Sequence, residues 1–170
     1  MSMTEPARLF AIANNIDTDD WYTPAWIFDA LNVTFDIDVA APDGGVDWVP
    51  CKQHYTVADD GLNQKWNGLI WCNPPYSDHA PWCRRMVEHG NGCILVRADL
   101  SVAAIHHVAT NADAMWIPKP RLAFVDPQGV TQRSVNFSTV MFGFGEQATR
   151  AVNRLGKRNG TTRHMKRCTR

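Results

Sequence analysis

No run of apolar residues approaches the roughly 18 to 20 needed to span a bilayer, and the opening "MSMTEPARLF" lacks the basic start and apolar core of a signal peptide. Both absences point to a cytoplasmic protein with no membrane partner. No C-x-x-C pair occurs, and the five cysteines, Cys51, Cys72, Cys83, Cys93 and Cys168, are odd in number. That argues against a disulfide framework and against a zinc knuckle. His79 and Cys83 stand four apart near Cys72, a spacing a metal can use, but scattered core thiols are the simpler reading and no metal is assigned. Internal repeats and low-complexity linkers are also missing. With 170 residues, 45% hydrophobic and 20% charged, the chain has the size and balance of one globular domain, so one active site is expected.

Acidic residues are absent from the end of the chain. Arg150, Arg154, Lys157, Arg158, Arg163, Lys166, Arg167 and Arg170 follow one another with no Asp or Glu among them, although Lys+Arg and Asp+Glu total 17 each over the whole chain. The body is therefore acidic and the tail basic. Such a tail is either a solvated terminus or a nucleic-acid contact.

What is present reads as alternating helices and strands. The first twenty residues, closing on the polar "NNIDTDD", resemble a loosely held arm. Thr23-Pro24 opens a helix running to about Leu31, with Thr as cap and Pro at the first helical position. "VTFDIDVAA" alternates Phe35, Ile37 and Val39 with polar neighbours and stops at Pro42-Asp43-Gly44-Gly45, as a strand and turn would. "GLIWCN" is a second strand, "HAPWCRRMVEHG" a helix, "CILVRA" a strand buried on both faces, "VAAIHHVA" a helix and "AMWIP" a strand. "RLAFVDPQG" and "SVNFSTVMFGFG" are expected to pair as a closing antiparallel hairpin. The pattern is that of an α/β sheet with an antiparallel edge, in which ligands sit beyond the carboxyl ends of the strands. The acidic turn after Val39 and the segment after Cys72 both lie at such ends.

That segment is "NPPY". Each proline holds the residue before it extended, so Asn73 and Pro74 are preset without tertiary help. Neither proline has an N–H to compete for nearby carbonyls, and Asn73 adds a side-chain oxygen. Converging acceptors suit a donor with two hydrogens, such as an exocyclic amine, and Tyr76 offers a flat face for the ring that carries it. A plain strand-ending turn has the same composition.

Placed after an apolar strand, "NPPY" resembles the catalytic motif of amino-group methyltransferases that use S-adenosylmethionine. The order "WYTP", "FDIDVAA", "DDGL...KW", "IWCNPPY" is similar to that of the phage-type Dam family of DNA adenine-N6 methyltransferases, over about Trp21 to Phe144. The resemblance implies a single-domain, Rossmann-like methyltransferase fold with a mostly parallel sheet and an antiparallel C-terminal hairpin. The domain would occupy residues 21–149, between an arm (1–20) and a basic tail (150–170). It implies S-adenosylmethionine as cofactor and DNA as substrate, with adenine N6 as the acceptor. Carried over residue by residue, it points to Thr23, Pro24, Asp38, Ala40, Ala41, Asp60 and Leu62 around the cofactor, and to Asn73, Pro74, Pro75 and Tyr76 around the target base. Two departures stand out. "AAPDGG" has no G-x-G loop, and the interval from Asp38 to Asp60 is short for a helix and a strand. The ribose partner is left open among Asp36, Asp43 and Asp47. From the elbow alone, cytosine N4 or another amino group would serve as well as adenine; in a different class stands a non-catalytic DNA-binding module that retains the fold, against which the intact "NPPY" argues.

Overall fold

A computed structural model describes residues 21–132 and 137–165; the expected arm over 1–20 and the last residues of the basic tail lie outside them. Nine strands and four helices alternate along the described residues. The four helices are α1 (Ala25–Leu31), α2 (Ala80–His89), α3 (Ala103–Asn111) and α4 (Gly145–Arg158). Strands β1 (Phe35–Asp38), β2 (Cys51–His54), β3 (Ile70–Cys72), β4 (Gly92–Arg97), β5 (Ala114–Ile117), β8 (Thr139–Phe144) and β9 (Thr161–His164) form one sheet in the order β2-β1-β3-β4-β8-β5-β9. The run from β2 to β4 is parallel, and β8, β5 and β9 join through antiparallel pairings. Among the described residues no helix is long and apolar enough to cross a membrane.

The sheet is buried on both faces, and β4 shows why its sequence is continuously apolar. Cys93 and Leu95 point into one core with Ile27, Phe28 and Leu31 of α1 and Ala148, Val152 and Leu155 of α4. Ile94 and Val96 point into a second core with Cys83 and Met86 of α2 and Ile105 and Val108 of α3. Alternation along a strand thus serves two apolar layers at once. The chain leaves β1 toward β2 on one side and β3 toward β4 on the other. That reversal opens a crevice at the carboxyl ends of β1 and β3, where α/β sheets hold their ligands.

Four expectations are corrected here. The closing hairpin does not form as drawn: "FV" makes β6 (Phe124–Val125) and pairs with β7 (Thr131–Gln132) as a separate ribbon, while β8 inserts between β4 and β5. As a result the sheet is mixed, with as many antiparallel as parallel pairings. The boundary expected at residue 150 falls inside α4, whose Ala148, Ala151, Val152 and Leu155 are fully buried. Thr23 does not cap α1; Pro24 occupies the cap position and the Thr23 hydroxyl is buried without a partner. The short interval after Asp38, by contrast, agrees with the structure, in which β1 is joined to β2 through turns alone.

Candidate active site

Asp38 ends β1 with its backbone fixed on both sides: its carbonyl accepts from Tyr55 N (2.8 Å) and it stands opposite Trp71 of β3. Its side chain is only 4% exposed, and among the described residues the single hydrogen bond it accepts comes from Ala40 N at 3.3 Å. Burial pushes the carboxyl up to about 7, only partly opposed by the Ala40 N–H. A desolvated carboxylate without a cation is costly unless something outside the chain completes it.

Asn73 is held in a complementary way. Its Nδ2 donates to Trp21 O at 2.6 Å, which fixes the amide plane, and its Oδ1 is buried with no partner. A preset acceptor is therefore left at the end of β3. The two prolines give the elbow its extended entry, although Pro75 O accepts from Asp78 N at 3.3 Å and so is already engaged.

Between these two groups lies a cavity of about 440 Å³, lined in part by Thr23, Asp38, Ala40, Ala41, Asp60, Asn73 and Pro75. The structure thus brings most of the expected residues onto one wall. Asp60 reaches it from a left-handed turn position (φ 54°), exposed and accepting from Asn63 Nδ2 at 2.7 Å. Pro24, Leu62, Pro74 and Tyr76 are not on that wall. Asp36 is excluded as the ribose partner, because its carboxylate braces Leu69 N and Lys52 Nζ, each at 2.7 Å, and Lys52 beside it holds it below the usual carboxylate range. Asp43 and Asp47 are exposed and off the cavity wall.

Tyr76 departs most from expectation. Its ring is 4% exposed and meets Phe137 (5.2 Å, 80°) and Phe124 (6.2 Å, 84°) edge-on, so no free face is offered. Its hydroxyl is buried without a partner, and burial raises it above the ordinary phenol value. Trp21 joins the same nest, 6.5 Å from Phe124 and 6.4 Å from Phe137.

Several wall residues were not foreseen. Trp21 both lines the cavity and anchors Asn73. The turn Val57–Asp59 is tightened by a capping box in which Asp59 Oδ2 accepts from Thr56 N (2.8 Å) and Thr56 Oγ1 (2.9 Å). It thrusts Val57, 90% exposed, to the cavity rim. Gly61 lies so close to Val39 O that a Cβ there would collide with it. The "T-x-x-D" spacing was the readable signal for that turn.

Two comparisons bear on this geometry. The family model described as DNA N-6-adenine-methyltransferase (Dam) matches residues 12–165, which takes in α4 and β9 beyond the stretch that carries the motifs. A DNA N-6-adenine-methyltransferase of Haemophilus phage HP1 (strain HP1c1) is 28% identical over 121 residues, covering 65% of this chain and 68% of its own length. With a strand-end carboxylate, a preset amide acceptor and the model match spanning both, the chain belongs to the Dam family of DNA N6-adenine methyltransferases.

Proposed function

We propose that the protein transfers the methyl group of S-adenosylmethionine to the N6 amino group of an adenine flipped out of DNA, with the cofactor in the crevice beside Asp38 and the base at Asn73. The observation that carries this reading is Asn73 Oδ1, buried and unpartnered while its Nδ2 is tied to Trp21 O. The chain's own groups fit the cofactor. Asp38, a buried carboxylate with no counter-ion among the described residues, suits an ammonium or a ribose hydroxyl, and exposed Val57 with Trp82 suits a flat apolar ring. Bound there, S-adenosylmethionine supplies an electrophilic methyl on a positively charged sulfur.

The residues of the elbow address a weak nucleophile. The lone pair of an adenine amino group is delocalised into the ring. Accepting one N–H at Asn73 Oδ1 and the other at Pro74 O favours a pyramidal nitrogen, whose lone pair is then available in line with the methyl. This is orientation and electrostatic stabilisation without a covalent enzyme intermediate. The base must leave the duplex to reach so buried an acceptor. A base reaches the Tyr76 face only after Phe137 turns aside, since both phenylalanine rings abut it edge-on.

Labelled methyl transfer from S-adenosylmethionine to DNA, followed by nucleoside analysis, tests the reading. Label in N6-methyladenine supports it. Label in cytosine moves the acceptor, and cofactor binding without transfer to DNA reduces the protein to a binding module.

A further inference from the structure

The edge of the sheet that carries the elbow also carries a group of exposed cations, gathered toward one end of it. Because β4 and β5 both run antiparallel to β8, the exit of β5 lies on the same edge as the exits of β1, β3 and β4. Lys119 and Arg121 follow that exit and are exposed. Helix α4 runs back toward this edge, and its end is clamped there: Trp116 Nε1 donates to Asn159 O at 2.7 Å, Thr161 stands opposite Ile117, and Gly160 lies so close to Ile117 O that a Cβ there would collide with it. Lys157 and Arg158, also exposed, are thereby held near the exit of β5, which Lys119 follows by two residues. Leu122 and Phe124 carry the chain from Arg121 into the same core as Tyr76 and Trp21, so the cations share both edge and sheet face with the aromatic nest. Arg97, its guanidinium 5.2 Å from the Phe137 ring centre, stands between them and the elbow.

Among the described residues the ion pairs are Lys52–Asp36 and Arg150–Glu146, and neither involves these cations. Lysines and arginines that are exposed, clustered and unpaired suit a polyanion. The segments that follow β1 and β2, around the cofactor cavity, present exposed Asp43, Asp47, Asp59 and Asp60. A phosphate backbone is repelled there.

We infer that Lys119, Arg121, Lys157 and Arg158 form a phosphate-binding tract, and that the DNA duplex lies over the β4-to-β9 half of the edge with its flipped base near one end of the covered stretch. The inference rests on the methyltransferase reading for the nature of the partner. At a strand spacing of about 4.8 Å, the exit of β5 and the start of β9 lie about 14 and 19 Å from the exit of β3. With about 3.4 Å of rise per base pair, the tract meets phosphates about four to six base pairs from the target, on one side of it. Asp99 near Arg97 accepts from Ser101 N (3.1 Å) and Oγ (2.6 Å), and Asp126 from its own turn; among the described residues neither makes an ion pair with the tract.

The test is a variant carrying Lys119→Ala, Arg121→Ala, Lys157→Ala and Arg158→Ala, read by anisotropy on a duplex of about 20 base pairs between about 50 and 200 mM salt. The slope of log affinity against log salt should flatten by up to about 0.9 for each phosphate no longer neutralised, with Arg150→Ala unchanged and cofactor binding by calorimetry intact. If the fourfold variant does not fold, single Lys119→Ala and Arg158→Ala should each flatten the slope by up to about 0.9. A wild-type slope in either set overturns the tract. On a duplex whose methylated adenine has been mapped, phosphate ethylation should interfere on one side of the target; interference symmetric about it overturns the placement. Absence of methyl transfer by the wild-type protein would instead sink the activity reading while leaving the slope measurement interpretable.

Discussion

At the scale of single residues, the site is defined by polar atoms left without partners. Asn73 spends its donor on Trp21 O and keeps its acceptor, so Asn73→Ala should lower turnover by about 100-fold or more, as removal of a preorganised polar group does, while the cofactor dissociation constant changes far less. Single-turnover kinetics beside calorimetry separates the two effects. Asp38 leads to a pH prediction. Its folded value, about 7, lies above the ordinary 3.8, so the folded form holds the proton more tightly, and the stability this confers is lost as pH rises from about 4 through 7. The ligand-free protein should lose thermal stability over that range, and Asp38→Asn should remove the trend. A cationic or donor ligand needs the carboxylate, so S-adenosylmethionine binding should tighten from pH 6 to 8 and release a proton below 7, measurable by calorimetry in buffers of different ionisation heat. The position of Asn73 and Asp38 on the cavity wall was legible because the one follows β3 and the other ends β1, where side chains meet a crevice. The burial of Tyr76 was not. The rings that enclose it, Phe124 and Phe137, come from segments about fifty and sixty residues away in the chain, and no local pattern marks their arrival.

At the scale of elements, the basic end of the chain divides into structural and free cations. Arg154 donates to Leu31 O through Nε (2.8 Å) and Nη2 (2.6 Å), and to Asn32 O at 3.3 Å, closing the carboxyl end of α1 from α4. Charge-assisted bonds of this kind contribute about 1.5 to 3 kcal/mol, so Arg154→Ala should lower unfolding free energy by roughly that amount in denaturant titration. It should leave the salt slope of DNA binding alone. Helices α1 to α3 and strands β1, β3, β4 and β5 were readable from local periodicity and punctuation, as at Gly90, which ends α2 in the left-handed conformation (φ 70°). Helix α4 was missed because half its buried stripe is alanine, too weakly apolar to stand out among Arg150, Arg154 and Arg158. The position of β8 between β4 and β5 was missed for a different reason. It depends on pairing Arg97 with Thr139 and Ala114 with Gly143, neighbours set by the whole sheet.

At the scale of the whole molecule, the last described strand, β9, is built into the sheet. Removing residues from Lys157 onward deletes β9, uncovers the edge of β5 and takes away the Asn159 carbonyl that holds Trp116 Nε1. Such a truncation should lower the melting temperature by several degrees, measurable by circular dichroism, and its DNA binding should fall together with its folding. Charge substitution is therefore the way to probe this region. The elbow also bears on how long a population of molecules stays active. Asparagine ages to aspartate chiefly when the next backbone nitrogen attacks its side-chain amide, and the next residue here is Pro74, whose nitrogen carries no hydrogen. A carboxylate at position 73 would have no donor for Trp21 O, so deamidation there would undo the clasp that fixes the acceptor in place. By following Asn73 with proline, the chain closes the usual chemical route by which its most exacting amide would wear out.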